Sequence, residues 1–291
     1  MAARLFRHAP PALPARVQLE ISGPRLAQSL ARLAAGTEAQ GGMERFVEAL
    51  KLKSALFRQA LGERGEYAAQ TELETFKGLC PFMPTVRRRI ARFLELPAYE
   101  SLRAQVAALM SALTDTTCTD ERLNLFGADL EGASGQRWLR DLAAELLHNV
   151  APERFPLMNR WVWDSAANTG VIREIWFAAD SDHIRIEVPD TYQTFLTLRE
   201  ELSQYLTQNG FFRDLIHYVD LLCAQVYAEY ICEQGASYLR TDFSAEEDPL
   251  EYTRRLLGLD GVKAGSGRTR LKTIDGESYV LRVPSDRPLL D

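Results

Sequence analysis

Two stretches of the chain set a carboxylic acid and an imidazole one helical turn apart: Glu145-x-x-His148 and Asp214-x-x-His217. On an α-helix that spacing places both side chains on one face, where together they can ligate a metal or move a proton. Bundles with a carboxylate-bridged dimetal centre use two such pairs, plus a glutamate from each of two further helices, all pointing inward. Direction therefore decides what the pairs can do. In the segment after Phe212, Val219, Leu222 and Val226 mark an apolar arc, and His217 projects roughly 150° away from it at 3.6 residues per turn. His148 stands similarly opposed to Leu139, Leu142 and Leu146. The expectation is that both pairs face water, and one of them has Asp214 where the dimetal pattern has glutamate.

A second group could hold a divalent cation for phosphodiester hydrolysis: Asp164, Asp180, Asp182, His183 and Glu187, with Asp190 close by. Carboxylate neighbours would favour the protonated form of His183. Against this, Asp180 and Asp182 have the character of turn formers, Asp190 that of a helix cap, and no lysine lies near in sequence.

A third group is basic. Val86-Arg87-Arg88-Arg89-Ile90-Ala91-Arg92-Phe93 is a dense cationic cluster, and on a helix Val86, Ile90 and Phe93 would take one side and Arg87, Arg88, Arg89 and Arg92 the other. Such a face can grip phosphates or pair with carboxylates. The glycine-bearing loop from Gly258 to Arg270 adds Lys263, Arg268 and Arg270. It lacks the G-x-x-x-x-G-K-[ST] pattern and precedes a hairpin signal, so no helix dipole would assist a phosphate there. G-x-S-x-G, H-E-x-x-H and G-x-G-x-x-G are also missing, and the motifs imply no cofactor.

The segment Ala151-Pro152-Glu153-Arg154-Phe155-Pro156-Leu157-Met158-Asn159-Arg160 is similar to the one following the hairpin in helix-hairpin-helix DNA glycosylases, where a Phe-Pro pair precedes a catalytic aspartate. Met158 stands in the aspartate's place, and the glycine hairpin is missing upstream. So short a match does not assign the chain to that family.

The elements that must position these groups read mainly as helices. The chain has 291 residues, 46% hydrophobic and 25% charged, with a net charge of −6, enough to bury a sizeable core and a poor match for a general nucleic-acid coat. No apolar run reaches the roughly 18 residues a membrane span requires. Cys80, Cys118, Cys223 and Cys232 form no C-x-x-C pair and suit a reducing, cytoplasmic setting. Residues 1–16, proline-rich and without acids, read as an extended or disordered arm.

Helices are expected from Ser22 to Leu33, Met43 to Leu61, Tyr67 to Leu79, along the basic cluster after Pro84, from Ser101 to Leu113, around Glu121 to Phe126, and from Arg137 to Val150. Trp161–Trp163, Val171–Phe177 and His183–Val188 are rich in β-branched and aromatic residues and separated by turn signals, which predicts a small antiparallel meander. Two long amphipathic segments, from Asp190 to Asn209-Gly210 and from Phe212 to Gly235, predict a helical hairpin as the spine. Asp248-Pro249 opens a further helix, and Arg270–Ile274, Asp275-Gly276 and Glu277–Leu281 predict a β-hairpin with a two-residue turn.

The sequence thus predicts an α+β, mainly α protein: an arm over 1–16, a helical region over 17–150, a meander with the helical hairpin over 151–258, and a loop with a β-hairpin over 259–291. Its expected role is that of an intracellular, non-enzymatic binding or regulatory protein that contacts nucleic acid or an acidic protein through the arginine-rich face. The alternative is a metal-dependent enzyme, nuclease-like or dimetal, using the acids between 164 and 190.

Overall fold

The structure is a computed structural model describing residues 17–132, 136–177, 184–238, 248–260, 268–270 and 280–282, the last two segments and the side of α9 from 234 onward by their backbone alone. Ser22 caps the first helix, α1 (Gly23–Glu38), which buries Leu26, Ser29, Leu33 and Thr37 at helical spacing. The second, α2, spans Met43–Leu61 as its periodicity predicts, and ends where Gly62 takes a φ of 88°. Then come α3 (Leu73–Leu79), α4 (Ala98–Met110), α5 (Thr119–Leu125), α6 (Trp138–Val150) and α7 (Val171–Glu174). The expected helical hairpin is α8 (Tyr192–Gln208) and α9 (Leu215–Tyr238), which pack together, and α10 (Pro249–Leu256) follows under the Asp248 cap. Among the described residues no helix is long and apolar enough to cross a membrane.

Two helices form the centre. Every residue of α6 from Asp141 to Val150 is buried, and so is every residue of α9 from Tyr218 to Val226. α9 packs against α1, α2, α7, α8 and α10, while α6 packs against α2, α4 and α5. Polar side chains on such helices must find partners inside. One set joins three elements: Ser29 donates to Glu229, Gln225 donates to the other oxygen of Glu229, and Thr253 donates to Gln225, at 2.9, 3.0 and 3.0 Å.

The expected α+β architecture is corrected: the body is helical, at 60% helix, and no strand belongs to it among the described residues. Where the meander was expected, Trp161, Val162, Trp163, Val171, Ile172 and Ile175 are buried in turns and the short helix α7. Two isolated bridges, Ile21 with Trp176 and Asp164 with Thr169, are the pairing that occurs there among those residues. β-branched and aromatic side chains favour any half-buried surface, and here they plug the core without a ladder. The Trp163 indole donates to the Val188 carbonyl at 2.9 Å, and the Asn168 side chain clamps the backbone of Ile184 and Ile186, tasks that turns perform as well as strands.

The C-terminal β-hairpin is corrected as well. Its turn and most of both arms, 271–279, lie outside the described residues, and the backbone ladder that is described pairs Arg268 with Arg282 and Arg270 with Val280. A two-residue turn at Asp275-Gly276 would instead pair Arg270 with Leu281, so that register is not the one adopted.

The basic cluster does not form the expected helix. Residues 84–89 are turns, followed by a single 3₁₀ turn at Ala91–Phe93. The segment expected as one helix from Tyr67 to Leu79 is likewise split, into a 3₁₀ turn at Ala68–Gln70 and α3. Val17–Ile21 is extended and meets Trp176 through a single bridge. The arm over 1–16 lies outside the described residues.

Candidate functional site

The acid and histidine pairs do not face water. Glu145, His148 and Asn149 project from α6 into the interior between α2, α9 and α10. Glu145 accepts from Lys53 of α2 at 3.2 Å, from Asn149 at 3.1 Å and from Asn159 at 2.9 Å. Lys53 also donates to the Leu257 carbonyl at the end of α10, at 3.0 Å. His148 faces the Phe155 carbonyl through Nδ1 at 2.9 Å and the Asp220 carboxylate through Nε2 at 3.0 Å. Both partners can only accept, so the ring satisfies them together only as an imidazolium. Burial works against that charge, but the Asp220 carboxylate and the Phe155 carbonyl outweigh it and hold the His148 pKa above the usual histidine value.

His217 arrives at the same place from the first turn of α9. Burial pushes its pKa down, against the pull of Asp220, and its Nε2 is buried without a hydrogen-bond partner. Lys53, Glu145, His148 and His217 border one cavity of about 10 Å³, which at most matches a single water. The interior is thus two buried ion pairs, Lys53–Glu145 and His148–Asp220, with a neutral imidazole beside them. No substrate fits among these groups, and the two ion pairs are held by further bonds to Asn149, Asn159 and the carbonyls of Leu257 and Phe155.

A larger cavity lies at the other end of α6. About 550 Å³ in volume, it falls in the range of small-molecule sites. Its walls are α5, the turn at Phe126–Ala128, the first turn of α6, Arg160, and Asp190-Thr191 at the start of α8. Three arginines reach it. Arg137 pairs with Asp164 at 2.6 Å. Arg160 donates twice to Asp141, at 2.9 and 2.7 Å, and burial of the Arg160 guanidinium is outweighed by that carboxylate, which holds it protonated. Arg140 donates to two backbone carbonyls, Asp190 at 2.7 Å and Met158 at 3.4 Å, and makes no carboxylate ion pair among the described residues.

The wall is electrostatically unusual. Arg137 and Arg140 occupy the N-cap and the first turn of α6, beside Asp141 in the same turn, where the macrodipole is positive and a cation is disfavoured. Asp120 shows what the neighbouring helix does instead: its carboxylate accepts from the Tyr192 N–H, at 2.7 Å, and caps α8. The α6 end combines backbone dipole and guanidinium charge on one side of the cavity, and Leu123, Phe126 and Leu139 supply apolar wall. Such a surface can hold the anionic end of a small organic molecule.

No protein-family model, curated protein or solved structure matches this chain.

Of the metal-binding alternative, Asp180, Asp182 and His183 lie outside the described residues. Asp164 is buried against Arg137; burial would raise its pKa, but the Ala167 N–H and the Arg137 guanidinium prevail and lower it. Glu187 is exposed. Among the described residues, no three His, Cys, Asp or Glu side chains are grouped so as to hold a metal ion.

Of the basic group, Arg87 is committed inward: it grips Asp260 with two bonds of 2.8 and 2.9 Å and also donates to the Pro81 carbonyl. Arg92 donates to the Gly132 carbonyl and lies over the Phe93 ring. Arg88 and Arg89 are exposed. Lys263 lies outside the described residues, and Arg268 and Arg270 are described by their backbone alone. In place of one face with four parallel guanidinium groups, the structure has two outward arginines and two that tie the surface together.

Sequence reasoning missed Arg137, Arg140 and Arg160. The available signal was Arg137-x-x-Arg140 at the start of a helix, two cations where the usual charge preference is for acids and only Asp141 supplies one.

Proposed function

We propose that this chain is a binding protein for a small organic anion, seated in the cleft between α5, the first turn of α6 and the start of α8. One observation carries the proposal: Arg140, at the positive end of α6, borders a cavity of about 550 Å³, its hydrogen bonds go to neutral carbonyls, and it has no carboxylate ion pair of its own among the described residues. An anion there would gain both the guanidinium and the helix dipole. Among the described residues, the cleft offers no nucleophile paired with a base, which favours binding over catalysis.

Thermal denaturation with phenylacetate and with inorganic phosphate tests it. A ligand of the native state raises the midpoint with concentration. Phenylacetate should stabilise the protein, and the R140Q variant should lose that response. Equal midpoints with and without both anions would refute the proposal.

The exposed pair Arg88 and Arg89 supports a second reading, contact with nucleic acid or an acidic protein surface. Binding of labelled single-stranded nucleic acid over a salt series should then weaken, with a shallower slope, in R88Q/R89Q. An unchanged affinity and slope would remove that reading.

A further inference from the structure

We infer that the ligand of the cleft is dipolar, a small molecule carrying both a carboxylate and an ammonium group on an apolar body, as an amino acid with a large side chain does. The inference rests on the anion-binding reading above and adds the ligand's second charge.

Formal charge argues for it. The cavity wall holds three cations, Arg137, Arg140 and Arg160, and two carboxylates, Asp120 and Asp190. Arg137 is ion-paired with Asp164 and Arg160 with Asp141, which Arg140 also attracts from a greater distance; Asp120 and Asp190 make no ion pair among the described residues. A multiply charged anion would meet one guanidinium without an ion pair of its own and two like charges, which is a poor site for it.

The carboxylates have capacity to spare. Asp120 uses Oδ1 to cap Tyr192, and Asp190 uses Oδ1 to accept from Ser165 at 2.8 Å. The second oxygen of each accepts no hydrogen bond among the described residues. A carboxylate can accept about four hydrogen bonds, so both can take an ammonium donor without giving up their present partners. The Asp190 backbone carbonyl is the group that Arg140 holds, so positive and negative determinants are tied together across the cleft by that 2.7 Å bond. Leu123, Phe126 and Leu139 meet whatever apolar body lies between the two charges.

The test compares three probes of one shape by calorimetric titration of the full chain: L-phenylalanine, N-acetyl-L-phenylalanine, which lacks the ammonium, and L-phenylalaninamide, which lacks the carboxylate. The inference predicts that L-phenylalanine binds at least about tenfold more tightly than either derivative, the size of one charge-assisted contact. It also predicts that D120N, which keeps a capping oxygen for α8, weakens L-phenylalanine and leaves N-acetyl-L-phenylalanine unchanged. If N-acetyl-L-phenylalanine binds as tightly as L-phenylalanine, the dipolar inference is overturned and the anion reading stands. If L-phenylalaninamide binds as tightly, or if none of the three binds, both are overturned. The comparison within the wild-type protein requires no variant to fold.

Discussion

His148 on α6 bonds to Asp220 on α9, with 3.0 Å between the imidazole Nε2 and the carboxylate Oδ2, and this buried pair links the two helices that share the centre of the molecule. The Phe155 carbonyl at the other ring nitrogen makes the pair ionic, since a neutral imidazole could donate to only one of the two.

A pH dependence with a definite sign follows. His148 has its pKa raised from its ordinary value of 6.5, so the native state holds a proton that the unfolded chain releases as pH rises. The stabilisation is fully present below that value and is lost as pH rises through the folded pKa, by up to about 1.4 kcal/mol per pH unit. His217, with a lowered pKa, acts in the opposite window: stability falls as pH drops from 6.5 through its folded value. Urea unfolding across that range should show H148Q losing the alkaline-side slope and H217Q losing the acid-side slope. A slope on the alkaline side that survives in H148Q would contradict the assignment.

Lys53 and Glu145 form the second buried pair, and removing the cation leaves a carboxylate in the core with two amide donors. K53M is expected to cost about 3–5 kcal/mol of stability. K53M/E145Q should recover part of that, because a neutral amide still accepts from Asn149 or Asn159 and carries no charge to strand. Equilibrium denaturation measures both, and a double variant weaker than K53M would show that the pair is not the source of the loss.

Gly258 follows α10 with a φ of 71°, and a Cβ on it would fall 2.0 Å from the Phe82 carbonyl oxygen. G258A adds backbone strain to that overlap and is expected to destabilise by about 2–5 kcal/mol. It should also disturb the neighbouring Leu257 carbonyl, the acceptor of Lys53. Alanine at Gly23, which has open space around it, serves as the control and should fall within about 0.5 kcal/mol of wild type.

Much of the helical frame was legible in the sequence. Ser22, Gly62 and Asp248 mark ends of α1, α2 and α10, and Asn209-Gly210 closes α8, because capping residues and left-handed glycines act locally. What could not be read was direction on the central helices. A helical wheel assigns polar residues to water, and this holds only for a helix with one wet side. α6 from Asp141 and α9 from Tyr218 to Val226 are covered all round, so Glu145, His148 and Asp220 turn toward partners inside, such as Lys53 and Phe155. The strand signals at Trp161–Val188 failed for a related reason: their side chains report burial, and burial here comes from packing on helices. The cleft was illegible because Arg137, Arg140 and Arg160 converge only after residues 150–160 fold back along α6.

The central claim is that the positive end of α6 receives an organic anion. It is tested most directly by nuclear magnetic resonance of the isotope-labelled protein titrated with phenylacetate. Saturable shifts of the backbone amides of Arg137–Arg140 and of Tyr192 are expected, with those near Lys53 unmoved. Shifts confined to Arg88 and Arg89, or scattered with no saturation, would contradict it.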